Sequence, residues 1–334
     1  MRVGLTLLRG EELPRDEVLG YVREAEDLGY ESLWVPESWG RDAFTQLAYV
    51  AARTQRIGLA TGIVTVYSRT PALLAQTVGS LDDLSDGRLT LGLGVSGPIV
   101  IEQWHGVPFG RPLQRTREYI DIIRLALRGE RVNYSGAYFR LRGFRLRFQP
   151  RRADVPIYLA ALGPKNLELT GEIADGWLGV YLAPKYLPEV RKHLAAGAQR
   201  AGRDASRVDI AAYVLSCVTD NRDEARTLAR QHIAYYVGGM GTFYAELMTR
   251  YGWGEIAERV QARWKEGDRT AAAALISDEI VDELAITGAP DECRARLRRY
   301  QEQGVALPIL APPHGATGPM IARTIRELAP ARLG

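Results

Sequence analysis

Gly92, Gly94 and Gly97, in the stretch LTLGLGVSGP (89–98), have the G-x-G-x-x-G spacing with which a tight turn brings backbone amides against a dinucleotide pyrophosphate. Such a turn needs positions without side chains, because the phosphate must come close to the main chain. It also needs a first strand–helix unit around it and a helix that starts at the glycines, so that the N-terminal amides face the anion. Here Pro98 follows Gly97, and the next helical periodicity starts near residue 113. The spacing therefore predicts another use: small residues at a strand exit, where a planar ligand can lie against bare backbone. His105, His193, His232 and His314 are scattered with no H-x-x-x-H pair, and Cys217 and Cys293 are the only cysteines. Spacing predicts neither a metal site nor a disulfide framework.

The elements that must position these residues repeat in one order. β-rich runs occur at 2–8, 32–37, 57–67, 89–95, 155–161, 176–182, 208–218 and 305–312. Helical periodicity separates them. In LPRDEVLGYVREAEDLGY, Pro14 suits an early helical position, Val18, Tyr21, Val22, Ala25 and Leu28 form one apolar stripe, and Gly29 supplies the stop. TPALLAQTVGSLDDLSDGR, LQRTREYIDIIRLALRGE and PKNLELTGEIADG repeat the pattern. Eight strand-then-helix units of nearly continuous apolar strands predict an α/β chain with a (β/α)8 TIM barrel. A doubly wound fold with a second domain predicts a linker and a change of composition near the middle, and neither is present. The expectation is one domain over 1–334, with a hairpin insertion at 131–150 before strand five. A helical insertion at 233–287 after strand seven is the lid candidate.

Composition narrows the classes. The 334 residues are 46% hydrophobic and 25% charged, with a net charge of +3, ordinary values for a soluble globular protein. Arginine alternates with Leu and Phe in FRLRGFRLRFQPRR (139–152), and RARLRRY (294–300) sits on a helix. Both read as solvated faces rather than a nucleic-acid surface, which would gather such charges with stacking aromatics. No apolar run approaches the ~20 residues of a membrane span, and the first 17 residues turn acidic too early for a signal peptide. A cytoplasmic enzyme acting on a small molecule is the expectation.

With the strands aligned, the chain resembles the bacterial luciferase-like oxidoreductases, and within them the coenzyme F420-dependent branch that includes methylenetetrahydromethanopterin reductase. The segments that carry the resemblance are AEDLGYESLWVPESWGRDAF, IGLATGIVTVYSRTPALLAQTVGSLDDLSDGRLTLGLGVSGP, EQWHGVPFGRP, ALGPKNLELTGEIADGW and ITGAPDECRARL. It implies a deazaflavin cofactor, with FMN as the alternative, and a homodimer or higher homo-oligomer. It implies a bulge after strand three, often with a non-prolyl cis peptide, behind the ring; here that falls on Thr61, Gly62 and Ile63. Ser68 and Arg69, Ser96 and Gly97, and Gly163, Pro164, Lys165 and Asn166 would hold the rest of the cofactor, the last four through exposed amides, a helix dipole and an ammonium. Glu37 or His105 would manage the proton, and Thr6, Ser38, Trp39 and Trp104 would line the substrate pocket. Two departures bear on the substrate. The reductases carry a glutamate in a first-strand segment like GIEF, where this chain has GLTL with Thr6, and their Asp-His-Tyr is Glu37-Ser38-Trp39 here. The implied activity is hydride transfer between the deazaflavin and a small organic substrate. A reduced-flavin monooxygenase and a non-catalytic F420-binding protein are the alternatives.

Overall fold

A computed structural model describes residues 1–7 and 13–333; Leu8, the end of the first expected strand, lies outside the described residues. The strands in chain order are β1 (Gly4–Leu5), β2 (Ser32–Val35), β3 (Gly58–Thr61), β4 (Val64–Thr65), β5 (Leu89–Gly94) and β6 (Val132–Ser135). They continue with β7 (Arg140–Phe144), β8 (Ile157–Ala160), β9 (Gly176–Val180), β10 (Asp209–Val218), β11 (Ala285–Gly288) and β12 (Leu307–Ala311).

The contacts divide the chain into two compact units. One comprises 1–30, 179–191 and 210–334, and its strands run in the order β11–β10–β12–β1, all parallel. The other comprises 31–178 and 192–209, with the parallel order β2–β3–β5–β8–β9 and β4 added beside β5. β6 and β7 pair separately as an antiparallel hairpin, inside the insertion expected at 131–150. The strands carry the burial of sheets covered on both faces: β2 and β12 are buried at every position.

Local signals account for most helix boundaries. Pro71, Pro112 and Pro164 each open a helix (Pro71–Leu84, Pro112–Leu127, Pro164–Ile173), where the missing N–H has no intrahelical partner to lose. Pro14 differs by one position: the first helix runs Arg15–Asp27 with Pro14 just outside it as the cap. Gly29 then takes φ +82°, the left-handed stop its position predicts. The expected start of the insertion, residue 233, falls inside the helix Arg222–Gly239, which Asn221 caps through the Glu224 amide. The last residues of the expected helical stretch, 285–287, are not helical but belong to β11, which pairs with the second half of β10. Among the described residues no helix is long and apolar enough to cross a membrane.

Candidate active site

The expected single strand over 57–67 is two short ones, β3 and β4, broken by a cis peptide between Gly62 and Ile63. Neighbouring strand ends hold the break on both sides. Gly62 donates to the Val35 carbonyl at 2.8 Å, the Glu37 amide donates to the Ile63 carbonyl at 3.1 Å, and the Val66 amide donates to the Gly94 carbonyl at 3.0 Å. Ile63 is the one residue of 59–67 that is not buried, so the bulge presents a single apolar side chain as a ledge.

The glycines of β5 belong to this bulge. Gly92 and Gly94 lie two apart and share one face of the strand. A Cβ on Gly92 would stand 1.9 Å from the Thr61 carbonyl oxygen, and one on Gly94 would come within 3.0 Å of the Ile63 side chain. Gly97 has open space around it. Close packing of backbone thus requires the glycine at 92, while the one at 94 makes room for the Ile63 side chain. The Thr61 hydroxyl completes the join, accepting from the Gly92 amide at 2.9 Å and donating to the Gly92 carbonyl at 2.8 Å. Thr61 is fully buried, which corrects its assignment as a cofactor contact: it supports the bulge from behind.

Glu37 and Arg69, expected in separate roles, form one ion pair. Arg69 meets both Glu37 carboxylate oxygens, at 2.5 and 2.9 Å, and also bonds Asp42. Glu37 accepts the Ala43 amide at 3.2 Å, and Asp42 caps the helix Ala43–Ala51 through the Thr45 amide at 2.7 Å. The hydrogen bond to Glu37 raises the Arg69 guanidinium above its usual range. Burial opposes ionisation of Asp42, but the Thr45 and Arg69 partners outweigh it and hold the carboxyl below its usual range. The trio ties the exit of β2 to the segment after β4. Arg69 is thus held by two carboxylates, and the Ser68 hydroxyl lies 3.4 Å from the Thr65 carbonyl and 3.3 Å from the Arg69 guanidinium. Asp42 was missed by sequence reading; its signal was a helix cap directly after Trp39-Gly40-Arg41.

β5 leads to a second irregular stretch of backbone in this unit. Ser96 takes φ +58°, a left-handed conformation that a non-glycine residue adopts rarely and mostly where function needs it. A π-helical turn then runs Ile99–Trp104, closed by the His105 amide on the Val100 carbonyl at 3.1 Å. Such turns concentrate at functional sites. The sequence places the next helical periodicity only near residue 113; in the turn itself Val100 and Ile101 are buried. His105 ends it exposed, its ring free of partners among the described residues. Trp104, one residue earlier, meets Trp39 from the β2 exit edge to face, with ring centroids 4.6 Å apart. Ser38 is exposed beside Trp39.

At the exit of β8, Gly163 caps the helix Pro164–Ile173. Its carbonyl accepts the amides of Asn166 and Leu167 at 3.1 and 3.0 Å. The Gly163 and Lys165 N–H groups are left without a partner among the described residues, and Lys165 is exposed. Asn166 also turns its side-chain amide to the Ala160 carbonyl at 3.3 Å, so it shapes this turn rather than offering it a donor. Pro164 has no donor to give.

A family profile described as luciferase-like monooxygenase matches residues 1–307. The chain belongs to the luciferase-like family. Among its relatives is a Mycobacterium tuberculosis protein assigned provisionally as a coenzyme F420-dependent oxidoreductase, 37% identical over 93% of this chain and 94% of that one. Another is the 5,10-methylenetetrahydromethanopterin reductase of Archaeoglobus fulgidus, 32% identical over 88% of this chain and 89% of that one. The solved coenzyme F420-dependent tetrahydromethanopterin reductase of Methanopyrus kandleri superposes with a TM-score of 0.86 at 26% identity, covering 99% of each chain. This luciferase-like chain has the (β/α)8 barrel fold that its strand–helix repeats predict, and it is an oxidoreductase of that family.

Two more positions in this luciferase-like chain stand out, both in the unit that contains β1. Thr6 is fully buried at the end of β1, its amide on the Leu310 carbonyl at 2.9 Å and its hydroxyl without a hydrogen-bond partner among the described residues. A sealed hydroxyl does not line a pocket, which corrects that expectation. Tyr181, directly after β9, takes φ +49° and buries a phenol that also lacks a partner, with Tyr236 and Tyr244 packed edge-on against its ring. Nothing local in GVYLAP announced it, because left-handed φ at a tyrosine is imposed by packing.

Proposed function

We propose that the chain is a coenzyme F420-dependent oxidoreductase that transfers a hydride between the deazaflavin and a small organic substrate. The carrying observation is the ledge: the bulge at Gly62–Ile63 between β3 and β4, pinned by the ends of β2 and β5, that leaves only Ile63 of 59–67 unburied. A flat apolar support of this kind fits the back of a tricyclic ring. The open amides of Gly163 and Lys165, with the Lys165 ammonium and the dipole of a ten-residue helix, fit a phosphate. Gly97, with nothing within 4 Å of where a Cβ would be, leaves room for close approach of a ligand to backbone. The relatives named for F420 support the same cofactor.

Bound there, the deazaflavin supplies the hydride, and the protein orients the acceptor and balances the charge with a proton. His105 is the residue for that proton. Its ring is exposed and uncommitted, whereas the Glu37 carboxylate is held by Arg69 and the Ala43 amide. Glu37 then positions the ledge, through its own amide on Ile63, rather than exchanging protons.

Calorimetric titration with oxidised F420 and, separately, with FMN tests the reading. Micromolar F420 binding with FMN at least about tenfold weaker is expected. The opposite preference would move the chain to the reduced-flavin monooxygenases, with oxygen uptake as the next assay. His105→Gln should lower kcat about 10²–10⁴-fold, the usual scale for a lost general acid, with F420 affinity unchanged. Binding without turnover in the wild type, over a broad acceptor panel, would point to a cofactor-sequestering protein instead.

A further inference from the structure

Trp39 and Trp104 are 54% and 51% exposed, and Ile99, at the start of the turn that ends in Trp104, is 46% exposed. The indole planes are 89° apart, the edge-to-face arrangement favoured by ring quadrupoles and worth about 0.5–1.5 kcal/mol beyond area burial. That contact does not explain why both rings remain half in water. Large apolar side chains left open together mark a binding surface, and position says which one. Trp39 follows Glu37, whose amide holds the ledge, by two residues, and Trp104 immediately precedes His105. The indole pair therefore joins the two loops that carry the ledge contact and the proton donor.

Charge is an independent observation about the same loops. Arg69, a cation at this strand exit, is already bonded to two carboxylates, Glu37 and Asp42, and Arg41 on the same loop balances the remaining negative charge. A phosphorylated or carboxylate-bearing substrate would find the Arg69 guanidinium engaged, with both carboxylates beside it, whereas a neutral one needs no counter-ion.

Resting on the F420-dependent reading above, we propose that the substrate is neutral and predominantly apolar: a ketone, aldehyde or activated alkene on a hydrocarbon or aromatic frame that lies against Trp39 and Trp104. The indoles select the frame by desolvation, and the Glu37–Arg69–Asp42 trio discriminates against anions. Both act on binding.

The test uses the whole protein, with and without oxidised F420, and three probes: acetophenone, 2-cyclohexen-1-one and the anionic aldehyde glyoxylate. Affinity is read by calorimetry and by tryptophan fluorescence. The two neutral probes should bind at least tenfold more tightly than glyoxylate. Trp39→Ala/Trp104→Ala should weaken them at least tenfold while leaving F420 affinity within twofold, and Trp39→Phe/Trp104→Phe should restore most of the loss. Because both side chains are exposed, circular dichroism should show the variants folded. Three results would overturn the proposal: glyoxylate binding as tightly as the neutral probes, neutral-probe affinity indifferent to the double alanine variant, or no measurable binding of the neutral probes. A sedimentation shift to a smaller species in that variant, without loss of probe affinity, would assign the indoles to contact between copies and also overturn it. Failure of F420 itself to bind would strike the cofactor reading alone, since the probes are also titrated without it.

Discussion

Replacing Gly92 by alanine separates the two uses that the glycine spacing allows. The new Cβ would stand 1.9 Å from the Thr61 carbonyl oxygen, and that oxygen belongs to backbone, so no side chain can swing aside. Ordinary contact requires the strands to part by more than an ångström. Overpacking of this kind costs about 1–3 kcal/mol. The displacement would also break the two bonds between the Thr61 hydroxyl and Gly92, each worth about 0.5–1.5 kcal/mol. Together the loss is about 2–6 kcal/mol, a large share of the roughly 5–15 kcal/mol that holds a domain folded. For a chain of this length it corresponds to a Tm decrease of about 3–8 °C. Gly97→Ala, where a Cβ meets nothing within 4 Å, should change Tm by less than about 1 °C, the range of an ordinary surface substitution. Thermal melts and urea titrations of both variants, beside F420 titrations, make the assay. If Gly92→Ala kept wild-type stability, the bulge would not be seated as described. If the two substitutions destabilised equally, close approach at Gly92 would not be the reason for the motif.

Three further outcomes follow from particular contacts. Glu118 is buried and accepts the amides of Ala137, Tyr138 and Phe139 and the side chain of Gln114, fastening the β6–β7 hairpin to the helix Pro112–Leu127; Glu118→Ala should cost about 2–4 kcal/mol in urea titrations at pH 7. Burial raises the Glu118 carboxyl, but these bonds outweigh it and hold it below its usual range. Its stabilisation is therefore complete above the unfolded value near about 4.3 and lost as pH falls through the lower folded value, so the gap between wild type and variant should narrow only below about pH 4. Cys217 and Cys293 are buried, and burial pushes their thiols up to about 11 and about 12; a thiol-specific disulfide reagent at pH 8 should label neither until urea unfolds the chain. Gly197→Ala should destabilise by about 1–3 kcal/mol, because its Cβ would meet the Glu168 carbonyl at 1.8 Å across a helix contact, and a melt with unchanged Tm would contradict that packing.

The sequence by itself determined the alternation of strands and helices, and with it the fold class. Apolar periodicity, helix-opening prolines and Gly29 are local signals, and each acts within one turn or strand of where it is written. The family motifs likewise carried the bulge at Gly62–Ile63, because a short backbone pattern is preserved in short sequence. Tertiary structure alone decided what the polar groups do. Glu37 and Arg69 stand 32 residues apart, and only the pairing of β2, β3 and β5 brings them together with Asp42, turning a candidate proton donor and a candidate cofactor ligand into one ion-paired clamp. Thr61 and Thr6 read as site residues until burial enclosed them. Tyr181 read as an ordinary strand residue until packing gave it a left-handed φ and an unpartnered phenol. Hydrophobic period is a property of neighbours in the chain, whereas the availability of a charge or hydroxyl depends on partners that are distant in sequence and close in space.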